Sequence, residues 1–333
     1  LQKLNLDHSL PVLPEELAGI FDAGEYKKSQ LYKRDNIRFS FVTSSLSFVV
    51  MLLLFFFGGF GWGDKLIAGI SSSYIMHVLL FFGSLALLSD LLTTPFDLYD
   101  TFVLEEKYGF NRTTVRTYVL DKLKGWLLGV IIGGGLLALI TWIYMLTGSW
   151  FWLIALGLIT LVSVFLNMFY SNLIVPLFNK QTPLEEGTLR SKIEDFALQA
   201  GFKLDKIYVM DGSKRSSKAN AYFSGLGPKK RIVLFDSLID DLEEEEVVAV
   251  LAHEIGHYKK KHTTSGMVLG IIQTAIMFFL FSLFVGEDSF AVALGGTEAS
   301  FHLGLLAFGV LYAPISMLTG LVSNVLSRKF EYQ

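Results

Sequence analysis

Long apolar stretches without a single charge alternate with charged segments along the chain, and their lengths limit what they can be. A helix crossing the roughly 30 Å hydrocarbon core of a bilayer needs about 20 apolar residues. Phe39 to Gly63 meets that length between Arg38 and Asp64, and Leu66 to Ser89 follows, with His77 its one readily protonated side chain. Gly125 to Asn179 carries no charge and is long enough for two spans, with Thr147-Gly148-Ser149 marking the turn between them. Thr263 to Gly286 and Ser300 to Ser327 supply two more. The pattern predicts six spans, four within 39–179 and two within 263–327.

The segment 180–262 reads differently. Thr182-Pro183-Leu184-Glu185-Glu186 predicts a helix start, with Leu189, Ile193, Phe196 and Ala197 at helical spacing through Ala200. Ile207 to Met210 and Arg231 to Phe235 predict short strands, with Gly225, Gly227 and Pro228 turning between them and Asn220 to Gly225 as an edge strand. Acids from Asp240 to Glu246, then Val247, Val248, Val250 and Leu251, then Lys259 to Lys261, predict a helix whose charges complement its dipole. The chain therefore divides into a juxtamembrane segment 1–38, four membrane helices in 39–179 with a loop at 90–124, an α+β segment 180–262, two membrane helices in 263–327 and a tail 328–333.

Composition agrees: 52% of residues are hydrophobic and 18% charged, and the mean hydropathy is +0.49, the balance of an integral membrane protein in contact with a lipid bilayer. A net charge of −3 without a basic stripe argues against nucleic acid as a partner, and the absence of Cys excludes thiolate metal ligands. Lys and Arg number six before the first span, five in 90–124, fourteen in 180–262 and two after Ser327, against one, none and none in the alternate loops. The positive-inside rule then places the 180–262 segment and the tail on the cytoplasmic side.

That segment carries the candidate chemistry. His253-Glu254-Ile255-Gly256-His257 is an H-E-x-x-H sequence. On a helix its two histidines lie about 40° apart on one face, positioned to bind one Zn2+, with Glu254 beside them as the base that takes a proton from water. A catalytic zinc uses three protein ligands, so one more donor is required. His262 competes for that role, but on a continued helix it points about 140° away from His257.

Several further segments carry a resemblance. Glu105-Glu106-Lys107-Tyr108-Gly109-Phe110-Asn111, Gly212-Ser213-Lys214-Arg215-Ser216-Ser217 with Asn220-Ala221-Tyr222, Arg231 to Asp236, the H-E-I-G-H pentad, and Ser327-Arg328-Lys329-Phe330-Glu331-Tyr332-Gln333 resemble, in order, the type I CAAX prenyl endopeptidases. The resemblance implies an integral membrane zinc metalloprotease with a zincin-like catalytic segment, and helices enclosing an intramembrane chamber. It implies that Glu331 is the third ligand, beside His253 and His257, with Glu254 catalytic and one zinc per chain. The substrate it implies is a prenylated protein that loses its C-terminal tripeptide, held as an added strand along Asn220, Ala221 and Tyr222. It also implies a longer chain, with one more span before residue 1 and an Ala-Asp continuation after Gln333.

Alternatives remain at this point. An HtpX-like quality-control protease acting on unprenylated membrane proteins shares the pentad, and a zinc-regulated transporter or channel is a rival of another class. Glu105 and Glu106 are expected to be structural. Lys214, Arg215 and Lys218 are positioned either for a substrate carboxylate or for lipid headgroups. His77 and His302 are expected as neutral residues paired within the bundle. The membrane is that of the endoplasmic reticulum or the bacterial inner membrane, and the lack of a long charged insertion before the pentad leans towards the bacterial form.

Overall fold

The computed structural model describes residues 12–15, 18–20, 22–201, 206–224 and 231–332. The expected turn at Gly225, Gly227 and Pro228, and Gln333, lie outside them.

Helix α1, Ala23–Phe56, starts where the Asp22 carboxylate accepts the Glu25 N–H at 2.8 Å, so it begins well before the apolar stretch. It also stops short of Gly63. Gly58 at φ 64° breaks it and opens α2, Gly59–Ala68, so the apolar run 39–63 is shared between two helices. Helix α3, Tyr74–Tyr99, is capped by Ser73 and followed by a π-helical stretch, Asp100–Glu105. Helix α4, Val115–Leu128, passes through π-helical Gly129–Gly134 into α5, Gly135–Thr147. Much of the segment 90–124 expected as a loop is therefore helix, because its charges are spaced along faces instead of clustered in turn sequences.

The chain reverses where the sequence places the turn. Gly148 has φ 55° and ψ −130°, a conformation costly for any residue with a Cβ. Beyond it run α6, Phe151–Leu173, and the short α7, Val175–Phe178. Tyr144 and Phe151 meet edge to face across the reversal, ring centroids 5.6 Å apart.

A four-stranded sheet follows, made of β1 (Gln181–Pro183), β2 (Ile207–Met210), β3 (Ala221–Ser224) and β4 (Arg231–Phe235), in the order β1-β2-β4-β3. The central pair β2 and β4 is parallel, with Val209 opposite Leu234; the two outer pairings are antiparallel. Here one expectation fails: Thr182 and Pro183 lie in an edge strand, and the helix α8 spans Thr188–Gln199. A residue before proline is pushed out of the α region, and proline is tolerated on a sheet edge. Helices α9, Asp236–Asp241, and α10, Glu244–Lys259, complete the unit. Ile193 of α8, Ile207, Ile232 and Leu234 of the sheet, and Val247 and Leu251 of α10 form its buried core.

Two membrane helices close the chain: α11, His262–Phe284, and, after the short α12 at Asp288–Ala293, α13, Phe301–Glu331. Among the described residues, five helical stretches are long and apolar enough to cross a membrane, and one of them, Val115–Phe178, is the stretch that doubles back at Gly148. Their shared interior is aromatic: Phe151, Phe281 and Phe301 pack with centroids 5.5 to 6.1 Å apart. Apolar side chains also cover the outside. Phe48, Leu161 and Leu318 are 64 to 68% exposed, as a lipid-facing surface requires.

At the end of the bundle where α3 and α13 begin, Asp64 of α2 accepts from Nε2 of His77 at 2.6 Å and of His302 at 2.7 Å. The two histidines are thus paired within the bundle, as expected, through an acid on a third helix. The 2.6 and 2.7 Å separations are hydrogen-bond lengths. The triad is a polar clamp.

Candidate metal centre

Helix α10 is fixed at its start and along one face. The Glu243 side chain accepts from the backbone of Glu246, whose own carboxylate accepts the Glu243 N–H at 2.9 Å, a capping box worth about 1 kcal/mol. Val247, Leu251 and Ile255, four residues apart, are buried, so α10 lies on the sheet with His253 and His257 turned away from it and Glu254 at the border of the buried face. Glu331 arrives as the last residue of α13.

These elements bring three donor atoms together. His253 Nε2 and His257 Nε2 are 3.0 Å apart, and Glu331 Oε2 lies 3.4 Å from the first and 3.5 Å from the second. Both carboxylate distances match the roughly 3.3 Å edge of a tetrahedron around one zinc. The residues fit a metal site of two imidazoles and one carboxylate. Glu254, beside them, is half-buried. Burial raises its pKa above the ordinary carboxylate value, the two imidazoles oppose that rise, and Glu331 adds to it.

His262 is where reading the sequence goes wrong. The helix does not continue: α10 ends at Lys259 with Lys260 as its cap, Lys261 takes φ 60°, and α11 starts anew at His262. That joint folds the His262 ring back onto the pentad, with Nδ1 2.8 Å from His257 Nδ1. It meets the far side of the His257 ring from the donor triangle, so it is no rival to Glu331. Its ring is buried and stacked on Phe330, 4.3 Å between centroids and 11° between planes.

Strand β3 is the sheet edge on the side of α10. Ala221 packs with Leu251 in the main core, Phe223 packs with Ile255 and Tyr258, and Tyr222 points to the opposite face with Val175 and Val233. Asn220 is exposed, and its side-chain oxygen accepts the Ala221 N–H at 2.9 Å. A groove of about 900 Å³ opens beside the strand, lined by Tyr222, Phe223, Tyr258, Leu166 and Asn167 of α6, and Thr263 of α11.

The other motif residues hold the catalytic unit onto the membrane helices. Phe110 O accepts from Ser217 N, Arg112 N donates to Arg215 O, and Asn111 bridges Ser216. Arg215 makes a two-pronged pair with Asp121 at 2.7 and 2.9 Å and reaches Phe178 O. Lys218 binds Glu105 and the Tyr32 hydroxyl, and Tyr32 also donates to Glu105. Arg215 and Lys218 are therefore committed to acids of this chain, which leaves a substrate carboxylate little claim on them.

Residues 2–180 match the family described as CAAX prenyl protease N-terminal, five membrane helices, and residues 183–333 match peptidase family M48. The CAAX prenyl protease 1 homologs of Arabidopsis thaliana and Homo sapiens are each 35% identical, over 97% and 96% of this chain and 78% and 77% of theirs. This chain belongs to the CAAX prenyl protease family. The crystal structure of S. mikatae Ste24p superposes with a TM-score of 0.91 at 33% identity, covering 99% of this chain and 81% of that one. The M48 protein described here is thus a multi-pass membrane metallopeptidase with a zincin-like catalytic segment, and the transporter reading falls away.

Proposed function

We propose that this enzyme removes the C-terminal tripeptide from prenylated CAAX proteins, using one zinc ion held by His253, His257 and Glu331. The observation that carries the chemistry is the convergence of those three donors beside Glu254. Zinc in such a site supplies a Lewis acid that polarises the scissile carbonyl and makes water acidic enough to attack near neutral pH. Glu254 takes the proton of the attacking water and passes it to the leaving amine. Its half-buried position lifts its basicity, which suits both transfers.

The place of β3 at the sheet edge supports a role for Asn220, Ala221 and Tyr222 in holding the substrate as an added strand, with backbone hydrogen bonds setting its register beside α10. The Asn220 amide is at the entry of that edge. The groove between α6 and α11, lined by Leu166, Phe223 and Tyr258 together with Lys259 and Lys261, adjoins the same strand and gives the substrate a place beside it. The distribution of Lys and Arg supports a cytoplasmic catalytic segment. The eukaryotic relatives favour the endoplasmic reticulum membrane over the bacterial one.

Cleavage of three substrates by the purified protein tests this reading: a farnesylated CAAX peptide, the same peptide without the lipid, and an unfolded membrane protein. Preference for the first is expected. Equal cleavage of the second, or preference for the third, would support the HtpX-like activity instead.

A further inference from the structure

We infer that His262 is a positioning residue of the metal centre, fixing the tautomer of His257 and joining the two helices that bring the ligands together; this rests on the zinc reading above. A ligating imidazole must present a bare Nε2 to the ion, so its proton sits on Nδ1 and needs an acceptor. The Nδ1 of His257 faces the Nδ1 of His262 at 2.8 Å. Two facing ring nitrogens at that separation share one proton. With His257 ligating, His257 is the donor and His262 the acceptor, which places the His262 proton on its Nε2.

The same ring has a second contact that a simple acceptor would not need. It lies flat on Phe330, the residue before Glu331. One side chain thus touches the second ligand through a hydrogen bond and the neighbour of the third through a stack. The left-handed Lys261 makes this possible by letting the chain leave α10 and restart as α11 after only two residues, Lys260 and Lys261. His262 sits at the junction of α10, α11 and α13, where a shift of any one would separate Glu331 from the imidazoles.

The two contacts can be separated by substitution. His262→Phe keeps a flat ring on Phe330 and removes the acceptor. His262→Asn keeps an acceptor oxygen near the position of Nδ1 and removes the ring. Each variant and the parent, purified in detergent with zinc bound, is titrated with a chelator of known zinc affinity, and the zinc retained is measured by elemental analysis. His262→Phe is expected to hold zinc 10 to 100-fold more weakly than the parent, the loss typical when a ligand's partner is removed. His262→Asn is expected to hold it more tightly than His262→Phe. Replacement of the ion by cobalt gives a second reading, since a misoriented imidazole alters the visible absorption of the site. Wild-type zinc retention and an unchanged cobalt spectrum in His262→Phe would overturn the assignment, as would equal weakening in both variants. A parent protein that retains no zinc would sink the zinc reading itself, a separate result.

Discussion

At the scale of single residues, the sequence exposes chemistry more readily than geometry. His253, Glu254 and His257 are legible because a four-residue spacing on a helix leaves little freedom. Glu331 comes from the resemblance alone, since nothing local links residue 331 to residue 253. His262 was misplaced because a helix was extended through Lys261, and no residue there announces a left-handed turn; Lys at positive φ is uncommon. The division of labour at the site has a direct check. Glu254→Gln is expected to lower peptide hydrolysis by about 10² to 10⁴-fold, the usual worth of a general base, while zinc content measured by elemental analysis stays at the parent level.

At the scale of elements, turns that need glycine were readable and register was not. Gly148 lies at the reversal marked by Thr147-Gly148-Ser149, and its backbone angles explain why: with a Cβ the position is strained. Gly148→Ala is expected to destabilise the protein by about 1–3 kcal/mol, seen as a lower thermal midpoint in detergent. The Thr182 to Glu186 helix start failed because Pro183 and sheet pairing outweighed the acids that follow. Between the closing helices, Gln273 of α11 donates to Ser323 Oγ at 2.8 Å and to Thr319 O on α13. This bond joins α11, which begins at His262, to α13, which ends at Glu331. A double-mutant cycle of Gln273→Leu and Ser323→Ala is expected to give a coupling of roughly 0.6 kcal/mol, and at most about 1.7, the range for such bonds within membranes.

At the scale of the whole molecule, Glu331 lies far in sequence from His253 and His257, so a metal held by all three would tie α10 to the end of α13. Binding that is confined to the folded state stabilises it by about 2.7 kcal/mol at a hundred times the dissociation constant. Removing the ion with a chelator is expected to lower the unfolding midpoint, and Glu331→Ala to reduce that dependence on metal. Stoichiometry is expected to be one zinc per chain. The histidines of the second cluster hold Asp64 at hydrogen-bond distance instead, so a count of two would contradict that assignment. Charge-free length marks where the membrane helices lie, whereas it does not mark their ends, because α1, α3 and α4 run beyond the apolar stretches on polar faces that hydropathy does not register.

The groove beside β3 has walls from two membrane helices, α6 and α11, as well as from the sheet. On the proposed reading, a prenyl chain seated there lies against membrane helices. A farnesyl tail has about fifteen carbons, and drawing such a chain into water at ~0.8 kcal/mol for each buried CH₂ would cost on the order of 10 kcal/mol. A prenyl chain that stays beside those helices while its peptide reaches β3 is spared that cost.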